Sequence, residues 1–332
     1  MTENNLRVLL RARPAGRPGP EHFELSEGPR PTPLSGEVLV RHRFLSLDPY
    51  MRGRMDDAAS YARPVPLGGV MEGECVGEVV ESEHPRFAPG DWVGGARGWQ
   101  RYSVAPGEQL LKLPKEAGVP PTAWLGVLGM PGVTAWVGVT EIGQPRPGET
   151  FVVSAASGAV GSVAGQVAKQ MGARVIGIAG GPEKCRYVTE TLGFDACLDH
   201  RGDLEAALEE ACPEGIDVYF ENVGGAVQQA VFPRMRDFGR IAFCGTVATY
   251  NTRPLPPGPN LASVVRKRLR LQGFIVSDHP RAWPVWRQRG AAWIREGKLR
   301  WKEDVVQGLE NAPEAFVGLL EGRNFGKLVV AL

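Results

Sequence analysis

Residues 155–161 read Ala155-Ala156-Ser157-Gly158-Ala159-Val160-Gly161, a run of small side chains between the apolar segment ETFVVS and a stretch with helical spacing. The chemistry such a run supports is the holding of a diphosphate. A turn that leaves a strand sharply brings backbone N–H groups to a pyrophosphate, and the N-terminus of the next helix adds partial positive charge. Gly158 and Gly161 can serve the close approach of backbone to phosphate and of helix to sheet. Ala155 replaces the first glycine of G-x-G-x-x-G, which a slightly wider turn permits if its φ stays negative. The alternative is a turn that only packs helix on strand.

A second set of residues bears on which dinucleotide would fit. NAD sites usually place Asp or Glu about 20 residues further on, against the ribose 2′-hydroxyl. Here that position reads Ile178-Ala179-Gly180-Gly181, followed by Lys184 and Arg186. A 2′-phosphate is repelled by a carboxylate and attracted by these cations, so the pattern favours NADP. The other reading makes them solvated helix residues, with Glu183 close enough to pair with either.

Zinc chemistry lacks a ligand set. His22, His42, His84 and Cys75 lie in the first part without ligand-like spacing, and Met71 stands in GGVMEGECVG where a histidine before Glu is expected. Another group must then steady charge developing on a substrate oxygen. Tyr250 in CGTVATYN follows a strand-like run, and Tyr50 in LDPYMRGRM lines the first part. A phenol at either place can donate to a carbonyl oxygen that gains enolate character; the alternative for each is an ordinary half-buried tyrosine, and the functional reading is stronger for Tyr250. Side chains around Tyr50, Tyr61 and Trp99 are expected to form the substrate pocket.

The elements that position these residues fall into three stretches. Residues 1 to about 125 are rich in Gly and Pro with short apolar runs and read as mainly β. From about 149, strand-like runs (ETFVVSAA, ARVIGIAG, ACLDH, IDVYFENVG, GRIAFCGTV, LRLQGFIVSD) alternate with helical ones, including PEKCRYVTETLG up to Gly193. This is the pattern of parallel β-α-β units in a doubly wound sheet. A long helix ending near Gly297, then strand, helix and strand, suggest a tail that returns to the first part.

Composition narrows the class. The chain has 332 residues, a net charge of +1 and 43% hydrophobic residues, enough for two domains and without a signal for nucleic acid or an anionic membrane. The five cysteines, at 75, 185, 197, 212 and 244, show no C-x-x-C spacing and read as reduced. MTENNLRVLLRARP lacks a signal-peptide core and no apolar run approaches a span, so a cytoplasmic protein is expected.

Together SLDPYMRGRM, GMPGVTAWVGV, AASGAVGSVAGQVAKQMGARVIGIAGGPEK, ENVGG, FGRIAFCGTVATYN, LPPGPN and GRNFGKLVV resemble the zinc-independent medium-chain dehydrogenase/reductases, in the leukotriene/prostaglandin reductase branch with alkenal and curcumin reductases. The likeness runs from about residue 20 to 330. It implies an α/β fold, with a Rossmann NADP-binding domain over 128–297 and a mainly-β GroES-like catalytic domain over 1–127, completed by 298–332. It implies NADPH without zinc, and reduction of the carbon–carbon double bond of α,β-unsaturated aldehydes and ketones; a quinone reductase and a non-catalytic NADPH-binding protein are the alternatives. It implies a homodimer, with RLQGFIV at a sheet edge pairing with its copy.

Carried over by position, the resemblance makes Gly158, Ala159, Val160 and Gly161 the pyrophosphate cradle and Lys184 the lysine at the 2′-phosphate. It places Asn222 on the cofactor, and the loop Cys244, Gly245, Thr246, Val247, Ala248, Thr249 and Tyr250 beside the nicotinamide. Phe274, Ile275 and Val276 would lie along the nicotinamide end with Met130 and Thr134 nearby, and Asn324 would reach the cofactor from the tail. Many members carry a tyrosine after the third strand at the 2′-phosphate; here that position is His200, whose imidazole can donate in its place.

Overall fold

The computed structural model describes residues 4–114 and 118–332; Met1, Thr2 and Glu3 of the amino-terminal stretch lie outside them. The chain forms two units. The first comprises Met1–Leu125, Glu303–Asn324 and Leu328–Leu332, the second Gly126–Lys302 and Phe325–Lys327.

The first unit is mainly β, as its short apolar runs between turn residues dictate. β1 (Asn5–Leu10) pairs antiparallel with β2 (Phe23–Gly28). β3 (Glu37–Ser46) follows, then a single helical turn, α1 (Met51–Arg54), after Pro49. β4 (Glu74–Ser82), β5 (Trp92–Arg97), β6 (Tyr102–Pro106) and β7 (Leu111–Lys112) complete this stretch. β3 lies antiparallel between β4 and β6, and β5 between β4 and β7.

The second unit opens with α2 (Met130–Val137), which widens into a π-type turn over Gly138–Gly143. β8 (Thr150–Ser154), α3 (Gly161–Gln170), β9 (Arg174–Ala179), α4 (Pro182–Arg186), β10 (Ala196–Asp199) and α5 (Leu204–Ala211) form its first half. β11 (Ile216–Glu221), α6 (Gly225–Val231), β12 (Met235–Phe243), α7 (Ala262–Lys267), β13 (Arg270–Gly273) and α8 (Ala282–Arg295) form its second. The sheet order is β10-β9-β8-β11-β12-β13 and every pairing is parallel. Strands covered on both faces must be apolar throughout, and Phe151, Val152, Val153, Val175, Ile176, Val218, Tyr219 and Phe220 are all fully buried. The order reverses between β8 and β11, and the carboxyl ends of the strands at such a switch point are where open α/β sheets take ligands.

One element changes form along its run and another is shorter than its run suggests. The helix expected up to Gly193 stops there, at φ +74; it is α-helical to Arg186 and continues as a wider π-type turn over Tyr187–Thr191. There the Thr189 hydroxyl bonds back to the Cys185 and Arg186 carbonyls at 3.2 and 3.1 Å, the local competition that bends helices. The strand expected through Val276 stops at Gly273. Phe274 turns away to pack edge-on against Phe220 and His279, in the space above Gly138 that a Cβ there would occupy.

The tail adds β14 (Glu303–Gln307), α9 (Ala312–Leu320) and β15 (Lys327–Ala331). β15 pairs antiparallel with β3, giving the order β14-β15-β3-β4-β5-β7. Phe316 of α9 meets Trp99 edge-on at 5.6 Å, and Phe23 stacks on the same indole at 5.7 Å. Trp99 is therefore fully buried in the first unit's core and does not line a substrate pocket, which corrects the sequence expectation. The rings that cover it come from β2 and from the tail, two segments far from it along the chain.

His42 on β3 shares this burial. Its Nε2 meets the Ser103 hydroxyl at 2.7 Å, and burial lowers its pKa to about 4. The unfolded chain binds a proton below about 6.5 that the native state refuses until about 4, so stability falls as pH drops through that window. The expected loss reaches about 3 kcal/mol by pH 4. Denaturant melts at pH 7 and pH 4.5 check it: a His42→Gln variant should show a correspondingly flatter profile between them, and an unchanged profile would refute the assignment.

Candidate functional site

The site is built at the carboxyl ends of the parallel strands. The chain leaves β8 at Ala155 with φ +51, so the expectation of a negative φ is wrong. Ala155 takes the left-handed conformation that a first glycine would take, at a cost of about 1–2 kcal/mol. The turn is held by Ala156 N–H to the Ile178 carbonyl (3.0 Å) and Gly158 N–H to the Ala155 carbonyl (2.9 Å). The tight turn drives the Ala155 carbonyl into the space where a Cβ on Gly161 would lie, while a Cβ on Gly158 would stand 3.1 Å from that oxygen. Gly161 thus serves helix–strand packing, and Gly158 keeps the approach clear.

Beyond the turn, Ser162 and Ala164 N–H groups bond back to the Gly158 and Val160 carbonyls. Those of Ala159, Val160 and Gly161 find no acceptor among the described residues. Three open donors at the start of a ten-residue helix suit an anion.

At the end of β9, Gly180 and Gly181 leave a floor without side chains, and Gly181 holds φ +93. His200 Nε2 lies 2.9 Å from the place of a Cβ on Gly180. Arg201, which the sequence reading did not single out, brings Nη1 to 2.9 Å from the corresponding place on Gly181. Lys184 is half-buried on α4, three residues past this floor. The segment 178–181 itself carries no carboxylate, yet Asp199 reaches it from the end of β10. Its Oδ1 accepts the N–H groups of Gly181 (2.9 Å) and Arg201 (3.0 Å), and these bonds hold its carboxyl below the usual carboxylate range. That oxygen is already engaged by backbone.

β11 ends in a second polar knot. Glu221 is fully buried, and its Oε1 accepts from the Tyr219 hydroxyl (2.9 Å), the Ser154 hydroxyl (3.2 Å) and the N–H groups of Val223 (2.8 Å) and Gly224 (3.0 Å). Ser154 in turn accepts the Asn222 N–H at 2.8 Å, and the Asn222 amide donates to the Ser154 carbonyl at 2.8 Å. Asn222 therefore ties β11 to β8 across the point where the strand order reverses. The loop after β12 is sewn to the same turn. Cys244 and Gly245 N–H groups reach the Glu221 carbonyl, and those of Val247 and Ala248 reach the Asn222 and Val223 carbonyls. Glu221 escaped the sequence reading because ENVGG was read for its asparagine; a lone acid at the end of an apolar strand is the signal that was present.

The loop carries Cys244, Gly245, Thr246, Val247, Ala248, Thr249 and Tyr250. Burial and the Glu221 carboxylate push the Cys244 thiol up to about 12, so it remains protonated. Thr249 closes the short helical turn Val247–Thr249 by donating to the Thr246 carbonyl at 2.8 Å. The half-buried Tyr250 then folds back until its hydroxyl stands 3.1 Å from the place of a Cβ on Gly245. Phe274 is engaged in packing, with Ile275 extended beside it and Val276 starting a short turn. Thr134 on α2 bonds back to the Met130 carbonyl at 2.8 Å.

Tyr50 and Asn324 belong to the first unit. The Arg54 guanidinium lies 5.4 Å from the Tyr50 ring and 4.5 Å from the Tyr61 ring, and its Nε stands 3.1 Å from Glu72. Burial and then the Asp48 charge raise the Tyr50 hydroxyl well above its ordinary value, so it stays a hydrogen-bond donor. Met71 lies in the hydrophobic core, and the Cys75 thiol is buried with its pKa raised by that burial. These residues do not fit a bound zinc, and no group of three or more His, Cys, Asp or Glu is placed to hold a metal among the described residues.

A six-stranded parallel sheet with a glycine turn at its reversal point defines a dinucleotide-binding domain of the oxidoreductase class. Residues 7–113 match the family described as the N-terminal domain of oxidoreductase, and 159–292 the one described as zinc-binding dehydrogenase. The chain is 51% identical over 336 aligned residues to the NADPH-dependent curcumin reductase of Escherichia coli (strain K12), covering 99% of this chain and 97% of that protein. It is 44% identical to the NADP(+)-dependent 2-alkenal reductase of Nicotiana tabacum, over 89% and 87% of the two chains. The structure of CurA in complex with NADPH from Vibrio vulnificus superposes with a TM-score of 0.94 at 48% identity, covering 98% of both chains. The chain belongs to the medium-chain dehydrogenase/reductase family, in the zinc-independent branch of curcumin, 2-alkenal and prostaglandin reductases.

Proposed function

We propose that the protein is an NADPH-dependent reductase of the carbon–carbon double bond in α,β-unsaturated aldehydes and ketones. The observation that carries this reading is the match, along almost the whole chain, to relatives named for NADPH-dependent curcumin and 2-alkenal reduction. The donor set of the second unit supports it: open N–H groups at Ala159, Val160 and Gly161 suit a pyrophosphate, and the Gly180–Gly181 floor with Lys184 and His200 suits a 2′-phosphate.

NADPH, when bound, supplies the hydride that the β-carbon of the enone receives. The chain's own residues do the rest. Asn222 and the Cys244–Tyr250 loop shape the nicotinamide end, and Phe274, Ile275 and Val276 flank it. Tyr250 donates a hydrogen bond to the substrate carbonyl oxygen as it takes on enolate charge, and a proton taken up at the α-carbon completes the saturated product.

Steady-state NADPH oxidation tests this against 2-alkenals, cyclic enones, aryl enones and 1,4-benzoquinone. Alkenals and enones are expected to turn over and the quinone not. The reverse result would make the protein a quinone reductase, and tight NADPH binding without any turnover would make it a binding protein.

Two further readings go with this one. The protein forms a homodimer through the outer edge of β13, supported by the exposed Val265, Leu261 and Phe238 and by β13 standing last in its sheet. A monomer in light scattering would refute it. Its place is the cytoplasm, supported by five cysteines that are all free, and cell fractionation is the check.

A further inference from the structure

We propose that Arg201 is the guanidinium that recognises the 2′-phosphate of NADPH, and that it sets the preference for NADPH over NADH. This rests on the NADPH reading above and adds to it a residue that neither spacing nor resemblance selected.

The geometry is specific. Nη1 of Arg201 lies 2.9 Å from the place a Cβ on Gly181 would take, and Nε and Nη2 lie 3.5 and 3.6 Å from the place of one on Gly180. Three guanidinium nitrogens therefore face the end of β9, over a floor that carries no side chain. His200 Nε2 borders the same space at 2.9 Å from the Gly180 position. Strand ends of this kind receive the ribose of a dinucleotide, and the group on its 2′-oxygen decides between the two cofactors.

The backbone beneath Arg201 is fixed. Asp199 accepts its N–H at 3.0 Å and that of Gly181 at 2.9 Å through one oxygen, locking the end of β10 to the turn after β9. The Arg201 guanidinium enters no salt bridge among the described residues and is exposed. A planar fork matches two phosphate oxygens at once, which a lysine ammonium cannot do. Glycine at both 180 and 181 is what such a fork needs beneath it: a Cβ on Gly181 would stand 2.9 Å from Nη1 and push the guanidinium off the strand end.

The test is equilibrium binding of NADPH, NADH and 2′,5′-ADP to the full chain, its Arg201→Leu variant and its Arg201→Lys variant. Arg201→Leu is expected to weaken NADPH and 2′,5′-ADP by about tenfold or more, the loss of a charged hydrogen-bonded pair. NADH affinity should change less than about twofold, and Arg201→Lys should recover part of the loss. An unchanged melting temperature separates this from unfolding, since the side chain is exposed. If Arg201→Leu keeps the wild-type preference for NADPH, the assignment falls and the NADPH reading stands. Equal binding of NADPH and NADH by the wild type would overturn both.

Discussion

The Gly161→Ala variant is expected to lose about 2–3 kcal/mol of stability, a fall of roughly 5–10 °C in the melting temperature of this unit. The added Cβ would run into the Ala155 carbonyl and come within 3.1 Å of the Ala156 Cα. Both are backbone atoms in a turn that hydrogen bonds already hold, so nothing can rotate aside. Gly158→Ala separates packing from ligand approach. Its Cβ has one tight contact, the Ala155 carbonyl at 3.1 Å, which a shift of a few tenths of an ångström relieves. That variant should melt within about 2 °C of the wild type yet bind NADPH about tenfold more weakly, through lost phosphate contacts. Ala155→Gly should go the other way on stability, because the residue already holds φ +51. Calorimetry and fluorescence titration of the three proteins decide it. A Gly161→Ala protein as stable as the wild type would show that the turn yields, and the division of labour between the two glycines would be lost.

The doubly wound sheet was legible because strands buried on both faces carry continuous apolar runs, and because each was followed by a helical run of the right length. The same apolar density hid the ends of the elements. Phe274 continues the run RLQGFIV, but its ring has a better place against Phe220 than in the sheet, and only the space above Gly138 reveals it. The first unit was legible only as mainly β, since short strands between Gly and Pro state their type and not their partners. That Trp99 is core depends on Phe23 and Phe316, which are distant from it in sequence.

For the candidate site, features of backbone position were readable in the sequence and those of side-chain reach were not. Gly158, Gly161 and Gly180-Gly181 announce themselves by the absence of a side chain. Arg201 looks like any exposed basic residue in a turn until the fold lays it over the glycine pair. Asp199 likewise looks available until its oxygen is seen engaged by two N–H groups. Glu221 organises the loop that carries Tyr250, yet its four donors come from two strands and a turn. No spacing rule collects them.

The Tyr250→Phe variant is expected to reduce enones with kcat lowered about 10²–10³-fold, the usual loss when the main donor to a developing oxyanion is removed. The substitution deletes one hydroxyl and keeps the ring, so the half-buried packing of the loop is preserved. The hydroxyl stands over Gly245, at the carboxyl end of β12 and within a loop sewn to Glu221, Asn222 and Val223. That anchoring supplies what a transition-state donor needs, a position fixed before the charge forms and no reorganisation when it does. NADPH affinity should remain within about twofold, because an interaction made only in the transition state lowers kcat and leaves binding alone. Tyr50→Phe is the useful comparison. Its ring lies 5.4 Å from the Arg54 guanidinium, and burial keeps its hydroxyl protonated. A raised KM with kcat nearly intact is the signature expected there. If Tyr250→Phe retains wild-type kcat on 2-alkenals, Tyr250 is not the principal donor and the role passes to another group.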